Sequence, residues 1–518
     1  MDEVILSIDC GTQSLRTLIF SIKGELIDKV QMNYTPYFSP KPGWAEQDPE
    51  VFWQSLCKGC KELKQKHSDL FGKIIGVGVT TQRNTMVNVD KHGIPLRPAI
   101  TWLDQRKAKK VYTPNPFINS ALFLVGMSEA IIKTQTDGKC NWIKQNQPEI
   151  WEKTYKYLQV SGFLNYRLTG NFADSIASQI GHIPFNYKKM KWADAWDLGR
   201  KLFPIEKDKL PDLVTPGEVI GKISNKASEE TGILAGTPVI ACGSDKGCET
   251  IGMGVSDEKM VSLSFGTTAT IQTTSKKYFE ALRFMPPYPA PIPGHYNPEV
   301  EILRGFWMIT WFKNEFAHKE ILEAKEKGTL PEIILNTLLQ RIPAGSMGLI
   351  VQPYWSPGLK HLSAKGSIIG FGDVHTKAHI YKAIIEGLCY GLFDGLKKIE
   401  KSGKTIVEKA AVSGGASQSD EICQICSDVF NLPIVRGKTY ETSGVGSAII
   451  TAVGCKAYPS FEKAIDNMVK YDRTFMPNAE NVKIYHSLFN NVYQAMYDVL
   501  EPLYVQIREI TGYPEAYN

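Results

Sequence analysis

The sequence has no run of apolar residues close to the roughly 20 that a bilayer-spanning helix needs. It enters a predicted strand at Val4, without a signal peptide before it. Neither sign of charge dominates, since 59 Lys and Arg against 54 Asp and Glu give a formal net charge of +5, and the basic clusters are short. These absences predict a cytoplasmic protein that binds neither a membrane nor nucleic acid.

Cysteine is also scarce, with 10 residues in a chain of 518. That number does not make a disulfide scaffold in so long a chain. Two C-x-x-C pairs, Cys57/Cys60 and Cys423/Cys426, lie in segments with helical periodicity. Neither pair has further ligands at the spacing of a zinc site, so we expect free thiols and no zinc.

The length and composition indicate a globular protein of two domains. A chain of 518 residues is too long for one hydrophobic core. Predicted strands and helices alternate in both halves, as in α/β domains. We expect the domain boundary near residues 254–257, a long amphipathic helix over Ala378–Glu400, and only helices beyond Phe461. The proline-rich stretch Pro286–Pro298 is predicted to be an irregular insertion.

A predicted β-hairpin from Ile8 to Phe20 organises the first half of the chain. Its small polar tip, Cys10 to Ser14, contains Gly11, so the backbone can approach a ligand and its N–H groups can cradle a phosphate. Asp9, at the end of the first strand, is a hard oxygen ligand of the kind that Mg²⁺ prefers. An ordinary polar turn is the alternative interpretation of this hairpin alone.

The second half begins with a similar predicted hairpin, Met260–Thr274, whose tip is Gly266-Thr267-Thr268. Two such hairpins about 255 residues apart indicate a duplicated architecture with one phosphate loop in each domain. Between them, a predicted strand delivers Asp245 into a glycine-rich turn, where it either does chemistry or caps the next helix. Later, Gly414-Gly415 either binds a nucleotide or simply forms a turn.

Taken in order, these elements resemble the FGGY carbohydrate kinases over approximately residues 3 to 457. The matching segments are IDCGTQSLR, GWAEQDPEVFW, TTQRNT with PAITWLDQR, GSDKG, LSFGTT, GSIIGFGDVHTKAHIYKAIIEG, VSGGASQSD and ETSGVGSA. The resemblance implies an α/β fold of two actin-like (ribonuclease H-like) domains with a catalytic cleft between them. The resemblance assigns residues 1–254 to an N-terminal domain with the acceptor site, the first phosphate loop and the catalytic Asp. Residues 255–460 are then a C-terminal domain with the second phosphate loop and the adenosine site, and residues 461–518 are a C-terminal helical extension.

The resemblance also implies the chemistry, which is transfer of the γ-phosphoryl group of ATP, with Mg²⁺, to a hydroxyl of a sugar or polyol. Asp245 is then the general base, and Asp9 and Asp245 are the metal-binding carboxylates. Phosphoryl transfer needs mainly positioning and charge neutralisation from the protein. The expected ATP-binding residues are Thr12, Gln13, Ser14 and Arg16 in the first loop, Gly266 and Thr267 in the second, and Gly414, Gly415, Ala416 and Ser419 at the adenosine.

The acceptor site departs from the relatives, although Arg83, Asn84, Trp102, Asp245 and Lys246 are expected to form it. The pair Arg83-Asn84 stands where glycerol kinases have Arg-Glu and xylulokinases have Met-His. Lys246 follows the base, where those enzymes have glutamine or asparagine. It either lowers the pKa of the base, contacts an acidic or phosphorylated group, or points to solvent.

The leading hypothesis is therefore an ATP-dependent kinase of a ketose such as xylulose, or of a sugar alcohol. Glycerol is the alternative acceptor, and Thr270, which stands where glycerol kinases have an aromatic residue, argues against it. A catalytically silent actin-like regulator is the alternative class, but Asp9, Asp245 and both Gly-Thr loops are intact. The resemblance favours a homodimer.

Overall fold

The computed structural model describes residues 3–116, 120, 127–356 and 363–513. The strands of the first half are β1 Val4–Cys10, β2 Ser14–Ser21, β3 Leu26–Asn33, β4 Glu46–Gln47, β5 Ile74–Thr81, β6 Met86–Val89, β7 Ala99–Ile100, β8 Lys156–Gln159, β9 Ala173–Ser175, β10 Phe185–Asn186, β11 Lys191–Trp192, β12 Asp212–Val214, β13 Val219–Lys222 and β14 Pro238–Ile240. Those of the second half are β15 Met260–Phe265, β16 Ala269–Thr273, β17 Tyr288–Pro289, β18 Tyr296–Asn297, β19 Glu299–Ile302, β20 Ile350–Gln352, β21 Ser367–Ile369, β22 Lys409–Ser413, β23 Ile434–Gly437 and β24 Tyr471–Phe475.

The α-helices follow the same order along the described residues. They are α1 Pro49–Lys66, α2 Ser68–Phe71, α3 Ser128–Thr136, α4 Lys139–Asn146, α5 Pro148–Lys153, α6 Val160–Thr169, α7 Leu198–Leu202, α8 Asn225–Thr231, α9 Asp245–Gly252, α10 Trp307–Phe316, α11 His318–Lys327, α12 Pro331–Arg341, α13 Lys377–Gly403, α14 Asp420–Phe430, α15 Thr442–Gly454, α16 Phe461–Met468, α17 Ala479–Leu488 and α18 Gln494–Thr511. In the described part of the chain, no helix is long and apolar enough to cross a membrane.

Each half of the chain contains a six-stranded mixed sheet, and the two sheets have the same topology. Their strand orders are β13-β14-β5-β1-β2-β3 and β19-β16-β15-β22-β23-β24. The first sheet, counted from β3, and the second, counted from β19, have the same arrangement. Three successive antiparallel strands come first, then two strands that are parallel to the third, and last an antiparallel edge strand. This duplication is the two-domain actin-like fold, so the predicted α/β class is confirmed.

Local sequence signals explain the helix that covers the first sheet. Helix α1 begins after Asp48, whose side chain accepts a hydrogen bond from the Glu50 N–H, and Pro49 occupies the first helical position. Phe52, Leu56 and Cys60, four residues apart, are buried on the side of the helix that faces the core of the first domain. Asp48 and Pro49 therefore set the start of this helix.

Helices α9 and α15 cross at the junction between the domains. A Cβ on Gly446 would overlap the carbonyl oxygen of Cys248, and one on Gly252 would overlap that of Thr442. The two helix backbones can therefore meet only through glycine. Helix α15 also packs on β1 and β5 of the first sheet. The junction thus fixes α9, which carries Asp245 as its first residue, against both domains.

The structure differs from the sequence prediction in two segments. The proline-rich stretch Pro286–Pro298 is not merely irregular, because Tyr288–Pro289 and Tyr296–Asn297 pair as a two-stranded antiparallel sheet. Residues 461–518, expected to be helical, also contribute Tyr471–Phe475, the edge strand beside β23. The long helix is α13, Lys377–Gly403, which extends slightly beyond both predicted ends.

Both C-x-x-C pairs lie on helices, Cys57/Cys60 on α1 and Cys423/Cys426 on α14. Burial raises the pKa of the thiols of all four. Among the described residues, no group of three or more His, Cys, Asp or Glu side chains is arranged to hold a metal ion. The pairs therefore behave as parts of the apolar helix faces.

Candidate active site

The first hairpin brings Asp9 and Arg16 together as cross-strand partners on β1 and β2. Arg16 Nη1 lies 3.1 Å from Asp9 Oδ2, and Arg16 Nε lies 3.5 Å from Glu441 Oε2 of the second domain. Burial raises the pKa of Asp9 to about 6, with Arg16 opposing and the nearby Asp245 adding to this shift. Asp9 and Asp245 are thus close enough to repel each other, a pairing that favours binding of a cation.

Asp245 is the first residue of α9, but it does not cap this helix. The capping side chain is Ser244, whose Oγ accepts a hydrogen bond from the Gly247 N–H. Among the described residues, the Asp245 carboxylate accepts a hydrogen bond only from the Lys246 N–H, at 2.8 Å, and the side chain is 30% exposed. Burial raises the pKa of Asp245, whereas Arg83 and Lys246 oppose that shift. The sequence alternative, an Asp used as a helix cap, does not apply.

Arg83 is buried between the domains beside this carboxylate. Its Nε lies 3.9 Å from Asp245 Oδ1, and its Nη1 lies 2.9 Å from Glu299 Oε1 on strand β19 of the second domain. The guanidinium also lies over the Tyr288 ring at 4.9 Å, as in a cation–π contact. Burial would lower the pKa of Arg83, but Glu299 and Asp245 raise it overall. Arg83 therefore joins Asp245 to the second domain.

Lys246 points toward the second sheet rather than into solvent. Its ammonium lies 2.8 Å from Glu249 Oε2 and donates to Ser264 Oγ at 2.5 Å. Glu249 in turn accepts a hydrogen bond from Ser413 Oγ. Burial would lower the pKa of Lys246, but Glu249 and Asp245 raise it above its ordinary value. Of the options left open by the sequence, solvent exposure is excluded.

Asn84 and Trp102, which are predicted to contact the acceptor, both line the cleft from the first domain. Asn84 has a positive φ of 53°, and its Oδ1 accepts from the His182 N–H at 3.3 Å. Trp102 is 40% exposed, and its indole N–H donates to Thr12 Oγ1 at 2.9 Å. Trp102 is thereby held against the tip of the first hairpin.

The tip of the second hairpin lies across the cleft, and the glycine turn Gly414-Gly415 packs against the strand that leads to this tip. The Gly266 carbonyl accepts from the Phe306 N–H at 3.0 Å, which anchors the hairpin tip. Gly414 has φ +86°, and a Cβ there would lie 2.8 Å from the Phe265 backbone, so this position needs glycine. A Cβ on Gly415 would meet nothing within 4 Å, which leaves that side open. Ala416 is half-buried beside it.

Ser419 has a structural contact of its own. It is the N-cap of α14, where its Oγ accepts from the Ile422 N–H at 3.2 Å and donates to Glu421 at 2.9 Å. The residue predicted at the adenosine therefore supports the helix that follows the glycine turn.

A cleft of about 1640 Å³ lies between the two domains and is lined by some of the predicted site residues. The predicted residues that line it are Thr12, Gln13, Ser14, Arg16, Asn84, Trp102 and Thr267. The others, which do not line this volume, are Asp9, Arg83, Asp245, Lys246, Gly266, Gly414, Gly415, Ala416 and Ser419. Asp9, Arg83, Asp245 and Lys246 are nevertheless joined to one another by the electrostatic contacts described above.

Sequence reasoning missed the partners of these charges, of which Glu299 and Tyr288 lie in the second domain and Glu249 in the first. Glu299 pairs with Arg83, Tyr288 lies under its guanidinium, and Glu249 pairs with Lys246. Glu299 also accepts from Gln272 Nε2, which lies opposite it in the sheet. The one available signal was the alternation in Glu299-Val300-Glu301-Ile302, which is typical of a strand with one polar face.

Comparison with known proteins identifies the architecture. Residues 4–252 match the N-terminal domain, and residues 261–455 the C-terminal domain, of the FGGY family of carbohydrate kinases. The chain belongs to this family. It is therefore a carbohydrate kinase, an enzyme whose family uses ATP as the phosphoryl donor, as the resemblance predicted.

Relatives of this kinase carry different substrate names. A xylulose kinase of Staphylococcus epidermidis is 29% identical over 522 residues, covering 98% of each chain. The crystal structure of a gluconate kinase from Lactobacillus acidophilus superposes with a TM-score of 0.81 at 23% identity, over 97% of this chain and 99% of that one. A Plasmodium falciparum glycerol kinase with ADP gives a TM-score of 0.77 at 20% identity, over 95% and 98%. At these identities the solved structures establish the fold.

Proposed function

We propose that this kinase transfers the γ-phosphoryl group of MgATP to a hydroxyl of a ketose such as xylulose, or of a polyol, with Asp245 as the general base. The observation that carries the proposal is the group of charges between the two hairpins. Asp9 and Asp245 lie close together there, and Arg83 and Lys246 flank Asp245. Positioned charges of this kind suit phosphoryl transfer, in which the protein does little covalent chemistry.

In this mechanism the Asp245 carboxylate accepts the proton of the acceptor hydroxyl. The hydroxyl oxygen forms a bond to the γ-phosphorus as the bond from phosphorus to the β,γ-bridging oxygen breaks, and ADP leaves with that oxygen. Burial raises the pKa of Asp245, which makes it a stronger base, while Arg83 and Lys246 favour its ionised form. The proton then passes to solvent through the exposed part of the side chain.

Asp9 and Asp245 fit a magnesium ion. Mg²⁺ usually keeps several waters and takes only one or two carboxylates, so two neighbouring aspartates suffice. Their mutual repulsion, which contributes to the raised pKa of Asp9, is what a bound cation would relieve. When bound, Mg²⁺ would neutralise charge on the phosphates. Arg16 holds Asp9 in place from the neighbouring strand.

The remaining predicted residues take the following proposed roles. Thr12, Gln13, Ser14 and Arg16 bind phosphate from the first domain, and Gly266 and Thr267 do so from the second. Gly414, Gly415 and Ala416 receive the adenosine on their open side, and Ser419 supports that turn as a helix cap. Asn84 and Trp102 contact the acceptor, and Arg83 and Lys246 hold the base in position.

The test is ADP release by the purified protein with Mg²⁺ and a panel of ketoses and polyols. We expect release only when a suitable acceptor is present. Asp245→Asn should reduce turnover by several orders of magnitude while ATP binding, measured by calorimetry, stays within about threefold, because Asp9 and the two phosphate loops remain to hold MgATP. Full activity of Asp245→Asn would contradict the mechanism, and ADP release without any acceptor would contradict the specificity.

A further inference from the structure

One face of the second sheet carries a row of polar residues across four strands. The strand register places Glu301 opposite Thr270, Thr270 opposite Ser264, and Ser264 opposite Ser413. Ser264 and Ser413 are covered by the first domain, since Lys246 and Glu249 of α9 bond to them. Glu301, at the end of the row, is instead exposed.

Strand β19, which contains Glu301, runs from the neighbourhood of the catalytic base toward the second phosphate hairpin. Residues 299 and 301 share one face of the strand, and Glu299 binds Arg83, which lies beside Asp245. Beyond Glu301, Leu303 lines the cleft, and its carbonyl accepts from Thr268 Oγ1 at 3.2 Å. Glu301 thus lies between the base and the tip that contains Thr268.

The two glutamates of β19 differ in their partners. Glu299 is neutralised by Arg83 at 2.9 Å. For Glu301, no Lys, Arg or His nitrogen of the described residues lies within 4 Å, and no hydrogen bond to its carboxylate is formed among them. Its neighbour across the strand pair, Thr270, is small and buried, so it leaves room beside the carboxylate.

Glu301 is exposed and lies near Arg83 and Lys246, the side chains that flank Asp245. An ionised carboxylate has only hydrogen-bond acceptors, so its natural partner at this place is a hydroxyl donor. A second carboxylate at the same place would meet a like charge with no cation to offset it. We infer that Glu301 is an acceptor contact contributed by the second domain, one that binds a hydroxyl of the substrate and disfavours acceptors bearing a carboxylate. The inference rests on the proposed function and narrows it to neutral ketoses and polyols.

The electrostatic surroundings are consistent with this assignment. Partial burial and then the neighbouring Glu299 raise the pKa of Glu301 to about 7, while Arg83 and Lys246 oppose the shift. These three side chains are the charged groups that face Glu301. As pH rises from 6 to 8, the ionised form increases, so the KM for a neutral acceptor is expected to fall in wild type and to lose this dependence in Glu301→Gln.

The experiment compares matched neutral and acidic acceptors, D-glucitol with D-gluconate, alongside D-xylulose. In wild type we expect kcat/KM for the neutral compounds to exceed that for D-gluconate by at least about tenfold, the size of one charge-assisted hydrogen bond. Glu301→Ala should raise the KM for the neutral acceptor about tenfold with the KM for ATP unchanged. Glu301→Gln should reduce the discrimination against D-gluconate, and Glu301→Asp should restore it in part. Glu326→Gln, on the exposed side of α11, is the control and should change neither ratio.

The outcomes separate this inference from the proposed function. A wild-type preference for D-gluconate, or an unchanged ratio in Glu301→Gln, overturns the role of Glu301 and leaves the kinase assignment intact. If no compound yields ADP, the proposed acceptor class fails. The same compounds are then titrated into wild type and Glu301→Ala by calorimetry. Binding that weakens in Glu301→Ala then supports the contact. Binding that is unchanged, or absent in wild type, overturns it.

Discussion

Arg83 is one of the residues at which charges of the two domains meet. It comes from the end of β5 in the first domain and reaches Asp245 on α9 and Glu299 on β19. Its Nη2 is buried and makes no hydrogen bond to the described residues. Because Arg83 already contacts two carboxylates, we expect it to affect acceptor binding mainly by fixing Asp245, the proposed base, and Glu299 in place.

Arg83→Met should destabilise the protein by about 3 kcal/mol, because Glu299 would remain buried without its cation. The double variant Arg83→Met/Glu299→Gln should recover most of this loss, since it removes both charges. Urea unfolding of the four proteins in the cycle measures the coupling. Additive losses would show that the two side chains do not depend on each other.

A second residue-scale effect concerns Glu386, buried on α13 far from the cleft charges. It accepts hydrogen bonds from the Gly345 N–H, Ser346 Oγ and Tyr485 OH at 3.0, 2.7 and 2.8 Å. Burial raises its pKa to about 7, although Ser346 and Lys382 oppose this. The folded state therefore holds this proton more tightly than the unfolded chain, whose glutamate has the ordinary value of 4.5.

The contribution of Glu386 to the free energy of unfolding should consequently be full below pH 4.5 and fall as pH rises to 7. The total change is at most about 3 kcal/mol. Glu386→Gln lacks this titration, so its stability relative to wild type should increase between pH 5 and pH 8 in urea unfolding. The exposed Glu408→Gln serves as the control. Parallel pH profiles of wild type and Glu386→Gln would contradict the expectation.

At the scale of elements, the crossing of α9 and α15 positions Asp245, the proposed base. Gly446→Ala would force a methyl group against the Cys248 carbonyl, so the helices must separate. We expect a loss of about 2 kcal/mol or more in stability and a larger fractional loss in kcat than in ATP affinity, because Asp245 begins the displaced helix. Gly72→Ala is the control, since its Cβ would meet nothing within 4 Å. Equal activity of the two variants would contradict this role.

Elements with strong local signals could be predicted from the sequence, whereas contacts between distant elements could not. The two Gly-Thr hairpins, α1 and α13 each follow from periodicity, caps and turns within about 30 residues. The orientation of Lys246 depends on Ser264 and Glu249, and that of Arg83 on Glu299, 216 positions away. Strand β24 was missed because an exposed, polar edge strand has little apolar alternation, as its four exposed residues and single buried Phe475 show.

At the scale of the whole molecule, ATP and the acceptor are expected to draw the two domains together. Gly254, with φ +85°, lies where the chain passes from α9 to the second sheet, and residues 254–257 are the predicted hinge. Solution scattering should show a smaller radius of gyration when a nonhydrolysable ATP analogue and the acceptor are both present than with either alone. Identical curves in all states would contradict domain closure.

The order in which the chain is synthesised gives the helix junction and strand β24 a further consequence. The sheet of the first domain is complete by residue 240, but α15, which packs on its strands β1 and β5, emerges only after residue 442. The second sheet lacks its edge until Phe475 has left the ribosome. At translation rates of about 5–20 residues per second, apolar surface on the nascent first domain stays uncovered for on the order of ten seconds or more. Such a nascent chain is expected to depend on ribosome-associated chaperones, although the finished enzyme does not.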